Sequence, residues 1–457
     1  MNTNFELFRA TMLGKRVSVV GLGVSNRPLL KFLTDMGALV TGCDKRETFD
    51  EKTMQYMQDN TVCLHLGEDY LDHFDKCDFI IKTPGLRRDL PQFRAAQQAG
   101  IPITSEMELF LNLCPAPIIA VTGSDGKTTT TTLIHRILTQ SGYSCYVGGN
   151  IGTPLLTEVP NMCPDHRVVL ELSSFQLHDM HISPQTAVIT NVSPNHLDWH
   201  VDYDEYIDAK KQIFRYQGRD GLLIVNADNS VTAPMAKETP GQARVFSSSG
   251  GNRLGAHLSG DMLCYGETPI VRRQDIVIRG MHNVENYLAA ISAVWDLVDV
   301  EDIVKVATTF TGVEHRMERV RIKDGITFYN DSIASSPSRT MAGLQAFDQK
   351  VILIAGGYDK KIPYDVMAPV LREKVKGLVL LGATADKIFD AARSAYGEGE
   401  QTMPITRCED LESAVKEAYA MAGDGDAVVL SPASASFDMF TNFEERGNLF
   451  KQIVNAL

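Results

Sequence analysis

The chain has 457 residues, 44% hydrophobic and 22% charged, with a formal net charge of −13. Such a length exceeds one ordinary core and calls for about two to four domains. The acidic balance argues against broad nucleic-acid binding, which needs a basic surface to displace counterions. The N-terminal residues lack a signal-peptide hydrophobic region and no run of about 18 apolar residues occurs, so no membrane insertion and a cytoplasmic location are expected. The eight cysteines are scattered without a Cys-x-x-Cys pair, which favours reduced, mostly buried thiols over a metal cluster or disulfide framework.

In chain order, Arg16-Val-Ser-Val-Val20 reads as a buried strand and Gly21-Leu-Gly-Val-Ser25 as a tight turn. A helical stripe follows through Leu29, Leu30 and Leu33, then a strand at Leu39-Val-Thr-Gly-Cys-Asp44, so a parallel sheet is expected. Residues 79–81 and 101–103 are further strand candidates. Cys114-Pro-Ala-Pro117 marks a linker, or a loop just inside a second block. There the pattern restarts with a strand at 118–121, a glycine loop and a helix from Lys127 towards Leu138; residues 168–171 and 187–190 are further buried strands and 289–295 a small-residue helix. After Gly312 a third restart has strands at 351–355, 377–381 and 427–430. The expectation is an α/β protein of three domains, at 1–105, 106–312 and 313–457.

The chemistry concentrates in Gly123-Ser124-Asp125-Gly126-Lys127-Thr128-Thr129, between a strand and a helix. Such a turn aims backbone N–H groups and a helix N-terminus at phosphate, with Lys127 adding charge and the Thr128 hydroxyl available to Mg²⁺. The full phosphate-loop pattern wants glycine five residues before Gly126, where Val121 stands, so a glycine turn with an incidental lysine stays open. Glu171 ends an apolar strand, and Asn195-His196-Leu-Asp198 follows another. In a parallel sheet such strand ends converge on the ligand crevice. A solvated Glu and a structural His remain the plainer alternatives.

Taken together, Thr122-Gly-Ser-Asp-Gly-Lys-Thr-Thr129, Gly148-Gly-Asn-Ile-Gly-Thr-Pro154, Glu171-Leu-Ser-Ser-Phe-Gln-Leu177, Asn195-His-Leu-Asp198, Gly280-Met-His-Asn-Val-Glu-Asn286, His315-Arg316, Asn330-Asp-Ser332 and Leu430-Ser-Pro-Ala-Ser-Ala-Ser-Phe437 resemble the Mur ligase family along essentially the whole chain. Glu171–Leu177 and the ending through Asn-Phe-Glu-Glu-Arg-Gly447 resemble its D-glutamate-adding branch. The resemblance implies a Rossmann-like N-terminal domain, a central P-loop ATPase-type parallel-sheet domain and a Rossmann-like α/β C-terminal domain. It also implies a monomer that uses ATP and Mg²⁺, at two metal sites, to join D-glutamate to UDP-N-acetylmuramoyl-L-alanine through an acyl phosphate.

By the same resemblance Lys127 contacts the ATP phosphates, Thr128 and Glu171 serve the first Mg²⁺, His196 the second, and Lys210 is carbamylated. Read from residue type alone, Lys210-Lys211 is an exposed helix face. Asn283, Arg316 and Asp331 fall where the family binds the nucleotide. Val24 and Ser25 in the first turn, with Asp44, Lys45 and Arg46, match the uridine-diphosphate region. A dinucleotide fold would want glycine at 26, where Asn26 stands. Thr83, Gly85 and Asn150 match the sites for the sugar and lactyl-alanine end, and Lys360, Ser436 and Phe443 the acceptor pocket. Ile333 departs from the lysine usual after Asn-Asp-Ser; Arg339, Lys360 or Lys361 are candidates to supply that charge, and a differently arranged acceptor pocket is the alternative. Two rival readings stay open, a sister ligase with another acceptor (folylpolyglutamate synthase among them) and a nucleotide-gated interaction protein without catalysis. The presence of Glu171, His196 and Lys210 disfavours the second.

Overall fold

The computed structural model describes residues 2–196, 199–250, 255–278, 280–360, 362–397, 400 and 403–457. Asp198 and Lys361 lie outside the described residues. The chain forms two compact units, Met1–Ile276 with Met281–Thr308, and Val277–Gly280 with Thr309–Leu457.

The first unit holds two parallel sheets. One runs, in spatial order, Cys63–Leu66, Leu39–Asp44, Arg16–Val20, Phe79–Lys82 and Ile103–Thr104. Its last strand begins later than the expected 101–103 because Pro102 has no N–H to donate and contributes only its carbonyl, to Ile80. The other sheet runs Gln242–Phe246, Leu222–Asn226, Thr186–Ile189, Ile118–Thr122, Arg167–Glu171 and Cys145–Gly149. Ile118–Thr122 is central, so the strand ends at Glu171 and Ile189 flank the loop that follows Thr122. The helices Lys127–Gln140 and Met281–Val294 pack on one another, and buried Ala289, Ala290, Ser292 and Ala293 allow close approach.

One apolar core joins these sheets, reaching from Val17 and Val19 through Phe110 to Ala120 and Ile189. The helix Glu106–Leu113 sits within it and is buried nearly all round, as a helix covered on several sides must be. A small antiparallel sheet, Ala256–Ser259, Met262–Tyr265 and Thr268–Arg272, was not anticipated from sequence; the Trp295 ring stacks on Tyr265 at 4.0 Å.

The second unit has the order Glu318–Lys323, Ile326–Asn330, Ala427–Leu430, Val351–Ala355, Val375–Leu380 and Ile405–Arg407. The first pair is antiparallel and the rest parallel. All eight cysteines are free; Cys43 and Cys77 are buried but Cys63 and Cys163 are exposed, so burial is less general than expected. Among the described residues no helix is long and apolar enough to cross a membrane.

Candidate active site

Val121 is fully buried in the central strand, in register with Glu171 on one side and Val188 on the other. The strand therefore continues through the position where the longer phosphate-loop pattern has glycine, and the turn begins at Gly123. Gly123 (φ +150°) and Gly126 (φ +76°) adopt conformations that favour glycine, and a Cβ on them would collide with Thr190 Oγ1 and Asn286 Oδ1 respectively. Three supports hold the turn. Asn191 accepts from the Asp125 N–H at 3.0 Å and, through its carbonyl, from the Ser124 N–H at 2.9 Å. Thr190 donates to the Asp125 carbonyl at 2.6 Å, and Ser124 Oγ lies 2.9 Å from the Tyr206 hydroxyl.

Gly126 caps the helix Lys127–Gln140 without a side-chain hydrogen bond, leaving first-turn N–H groups for an anion. Lys127 Nζ donates to the carbonyls of Gly123 and Ser124, both at 3.0 Å, so its charge lies over the loop. Thr128 is buried in the first turn. On the facing helix Asn283 accepts from Asn286 Nδ2 at 3.2 Å, and Asn286 Oδ1 accepts from Thr130 at 3.3 Å.

Glu171 is buried at the end of its strand. One oxygen accepts from Asn150 Nδ2 at 2.8 Å, whereas Oε2 is buried with no hydrogen-bond partner among the described residues. An orphaned carboxylate oxygen beside a phosphate loop fits a divalent cation. Lys210 is not the exposed helix residue that its type suggests: it is 1% exposed, donating to the Gly123 carbonyl at 2.8 Å with its ammonium 4.6 Å from the Tyr206 ring centre. Burial, then the nearby Lys127 charge, push its pKa well below that of an ordinary lysine, against weaker pulls from Asp125 and Glu171. The periodicity held the missed signal. Tyr206, Ala209, Lys210, Ile213 and Phe214 form the buried stripe of the helix Tyr203–Arg215, while the adjacent Lys211 turns out to an ion pair with Glu238. His196 is exposed at φ +54°, its ring edge-on to Phe175 at 4.9 Å and 6.5 Å from Tyr206.

At the strand ends of the first sheet, Thr83 packs against Gly21, and its N–H donates to the Val20 carbonyl at 2.8 Å. Val24, Ser25, Lys45, Arg46 and Gly85 are exposed around this edge. Buried Asp44 accepts from the Leu22 N–H at 2.6 Å and from Arg46; burial opposes its charge, but these hydrogen bonds outweigh it and hold its pKa low.

In the second unit Asp331 is buried, accepting from Ser431 at 2.7 Å and the Met317 N–H at 3.2 Å. Burial pushes its pKa up to about 7, with hydrogen bonds and the Arg316 and Arg339 charges opposing. Ser436 is buried and Phe443 half-buried, and the Phe443 carbonyl accepts from Ser332 at 2.8 Å. Arg446, part of the motif ending at Gly447 but given no role by the sequence, joins these loops: its fully buried guanidinium donates to Ser332 Oγ and to the carbonyls of Ser332, Ser434 and Ala435. Ile333 is half-buried. Arg339 donates to its carbonyl at 3.5 Å, and the exposed Lys360 reaches the Ser335 carbonyl at 3.3 Å, so two cations flank this loop.

The comparisons with known proteins agree along the chain. Residues 15–105 match the MurD-like N-terminal domain of Mur ligases, 121–294 the Mur ligase middle domain, and 315–434 the Mur ligase glutamate ligase domain. The UDP-N-acetylmuramoylalanine–D-glutamate ligase of Acetivibrio thermocellus is 54% identical over 465 aligned residues, covering 100% of both chains. The chain belongs to the Mur ligase family. The identically named ligase of Clostridium kluyveri is 51% identical, again over 100% of both chains. Among solved structures, UDP-N-acetylmuramate-alanine ligase MurC from Thermotoga maritima has a TM-score of 0.59 at 20% identity, covering 97% of this chain and 99% of that one. MurF ligase from the same organism, in complex with ADP, gives 0.53 at 16%, covering 98% and 97%. These two show the shared fold. Mur ligases form peptide bonds with ATP in peptidoglycan synthesis, and this chain is a ligase of that kind.

Proposed function

We propose that this Mur ligase joins the amine of D-glutamate to the L-alanyl carboxyl of UDP-N-acetylmuramoyl-L-alanine. The carrying observation is the end-to-end match, at 54% identity, to a ligase of that name. The site chemistry supports it. A carboxylate oxygen of the donor attacks the γ-phosphorus of ATP and ADP leaves, giving an acyl phosphate. The D-glutamate amine attacks the acyl carbon and loses a proton, and the tetrahedral adduct expels phosphate. Negative charge gathers at each stage, so fixed donors and cations dominate such a site.

Lys127 and the first-turn N–H groups from Gly126 to Thr129 hold the phosphates in this reading, with Gly123, Ser124 and Asp125 shaping the loop around them. Thr128 and Glu171 Oε2 hold Mg²⁺, with His196 at a second Mg²⁺ position. When bound, Mg²⁺ neutralises phosphate charge and polarises the transferring group. Lys210 is carbamylated: its neutral amine adds to the carbon of CO₂ and releases a proton, converting a buried cation into an oxygen ligand. The depressed pKa supports this, because only the neutral amine is nucleophilic. Intact-mass measurement at neutral and acidic pH tests it; an unmodified Lys210 in active, metal-loaded enzyme overturns it.

Asn283, Arg316 and Asp331 take the nucleotide of ATP. Val24, Ser25, Asp44, Lys45 and Arg46 take the uridine diphosphate, and Thr83, Gly85 and Asn150 the sugar and lactyl-alanine end. Lys360, Ser436 and the Phe443 backbone take D-glutamate, and Arg339 with Lys360 supplies the charge absent at Ile333. Residues 1–105, 106–312 and 313–457 act as donor, nucleotide and acceptor domains of a cytoplasmic monomer. Phosphate release with UDP-N-acetylmuramoyl-L-alanine across a panel of amino acids tests the function. Release specific to D-glutamate is expected, and no response to D-glutamate overturns it.

A further inference from the structure

We propose that Glu205 is a positioning residue for donor binding, tying the Lys82–Arg87 segment to the helix that carries Lys210. The inference rests on the reading of Thr83 and Gly85 as donor-binding positions. Glu205 gathers groups from three separate stretches of chain. Arg87 grips its carboxylate with both terminal nitrogens, at 2.9 and 3.1 Å. His178 Nε2 lies 3.2 Å from Oε1, while Oε2 accepts from the Val201 N–H at 2.7 Å and faces His200 Nδ1 at 3.4 Å.

The network continues to the donor segment by two routes. The other His178 nitrogen lies 2.9 Å from Asp179, which pairs with the buried Lys82 at 2.6 Å; Lys82 also donates to the Leu86 carbonyl at 2.7 Å. On the second route Arg87 donates to the Trp199 carbonyl at 3.3 Å and lies over the Trp199 ring, and the indole N–H donates to the Gly85 carbonyl at 3.2 Å. The loop at 83–85 is thereby held from both ends by the segments that follow the strands Arg167–Glu171 and Thr186–Ile189. Farther along the Glu205 helix stand Tyr206, which touches the phosphate loop, and Lys210.

Half-buried ion pairs such as Arg87–Glu205, both side chains 23% exposed, add little net stability but are suited to setting a register. The register set here is that of Thr83 and Gly85 against Lys210, so donor binding is the step Glu205 controls. Neither Glu205 nor Arg87 has a contact with the nucleotide loop among the bonds described, so ATP affinity is spared.

The test uses the full chain and phosphate release, with kcat and KM measured separately for UDP-N-acetylmuramoyl-L-alanine, ATP and D-glutamate. Glu205→Gln keeps shape but loses charge, and is expected to raise donor KM about tenfold with ATP KM within about twofold. Glu205→Asp, which restores the charge, is expected to recover part of that loss. Arg87→Lys, a milder change, is expected to raise donor KM about threefold and serves if Glu205→Gln does not fold. A second readout is Trp199 emission in a Trp295→Phe background, titrated with donor alone. A donor-dependent change that Glu205→Gln right-shifts supports the inference. Unchanged donor KM, or donor and ATP KM rising together, overturns it while leaving the function intact. Absence of D-glutamate-dependent release in the unaltered chain defeats the functional reading instead, and absence of any emission response there overturns the inference as well.

Discussion

Lys82 and Lys210 are almost equally buried, at 2% and 1% exposed, yet the fold treats them in opposite ways. Lys82 ends a strand of the first sheet, 2.6 Å from the Asp179 carboxylate, which restores part of what burial takes from its pKa. Lys210 lies under the phosphate loop with a carbonyl, a hydroxyl and an aromatic face, and no ion pair to it appears among the described residues. Beside it Glu171 Oε2 is also unpartnered. Charges answered within the protein tie one segment of the chain to another. Charges left unanswered are open to phosphate, metal or modification.

The strongest way to break this contrast is Glu171→Gln. D-glutamate-dependent phosphate release is expected to fall about a thousandfold with little change in melting temperature. A large loss of stability instead would place Glu171 with the structural charges. Asp179→Ala should do the reverse: it leaves Lys82 buried and unpaired and is expected to lower stability by about 3 kcal/mol in urea unfolding. The apolar double variant Lys82→Met with Asp179→Leu should recover most of that.

Lys210→Met sharpens the comparison by sign. Removing an uncompensated buried amine is expected to raise stability by about 1 kcal/mol while abolishing turnover, whereas Lys82→Met alone should destabilise. A melt of the two single variants beside the unaltered chain decides it.

The smallest expected effect is on pH. The His178 ring faces Asp179 and Glu205, with His200 and Trp199 packed near it. The Asp179 hydrogen bond, then burial in opposition, then the Asp179 charge and Glu205 set its pKa, which ends above that of an ordinary histidine. The folded chain therefore holds this proton more tightly than the unfolded one. Its stabilisation is complete below about pH 6.5 and is lost as pH rises through the elevated folded value. The urea-stability difference between the unaltered chain and His178→Gln should shrink over that window. A difference that grows with pH would mean that the imidazole is buried neutral.

Much of the fold was legible because buried parallel strands are short apolar runs. Arg16–Val20, Val351–Ala355 and Ala427–Leu430 are read directly from such runs. The antiparallel sheet at 256–272 was not, since its strands are only partly buried and so do not read as uniform apolar runs, and one contains Pro269. In the site, Lys127 follows from the glycine loop that opens its helix, and Glu171 from its position at a strand end. Lys210 did not follow from residue type; the helical stripe through Tyr206 and Ile213 carried the information, and the resemblance drew attention to it. Asn191, Thr190 and Asn286 stand within the strand and motifs read from sequence, but their bracing of the loop is not legible there, because a side chain that supports a loop from another strand or helix leaves no local pattern.

Sequence by itself determined the three α/β blocks, the shortened phosphate loop and the family, because periodicity, turn chemistry and motif order are local properties of the chain. Only the tertiary structure decided which charges are answered. Whether Lys82 meets Asp179, whether Lys210 turns inward while Lys211 pairs with Glu238, and whether Glu171 keeps one oxygen unpartnered all depend on residues far apart in the chain. Charge compensation is a property of distance in space, and the sum over those distances exists only once the sheets have packed.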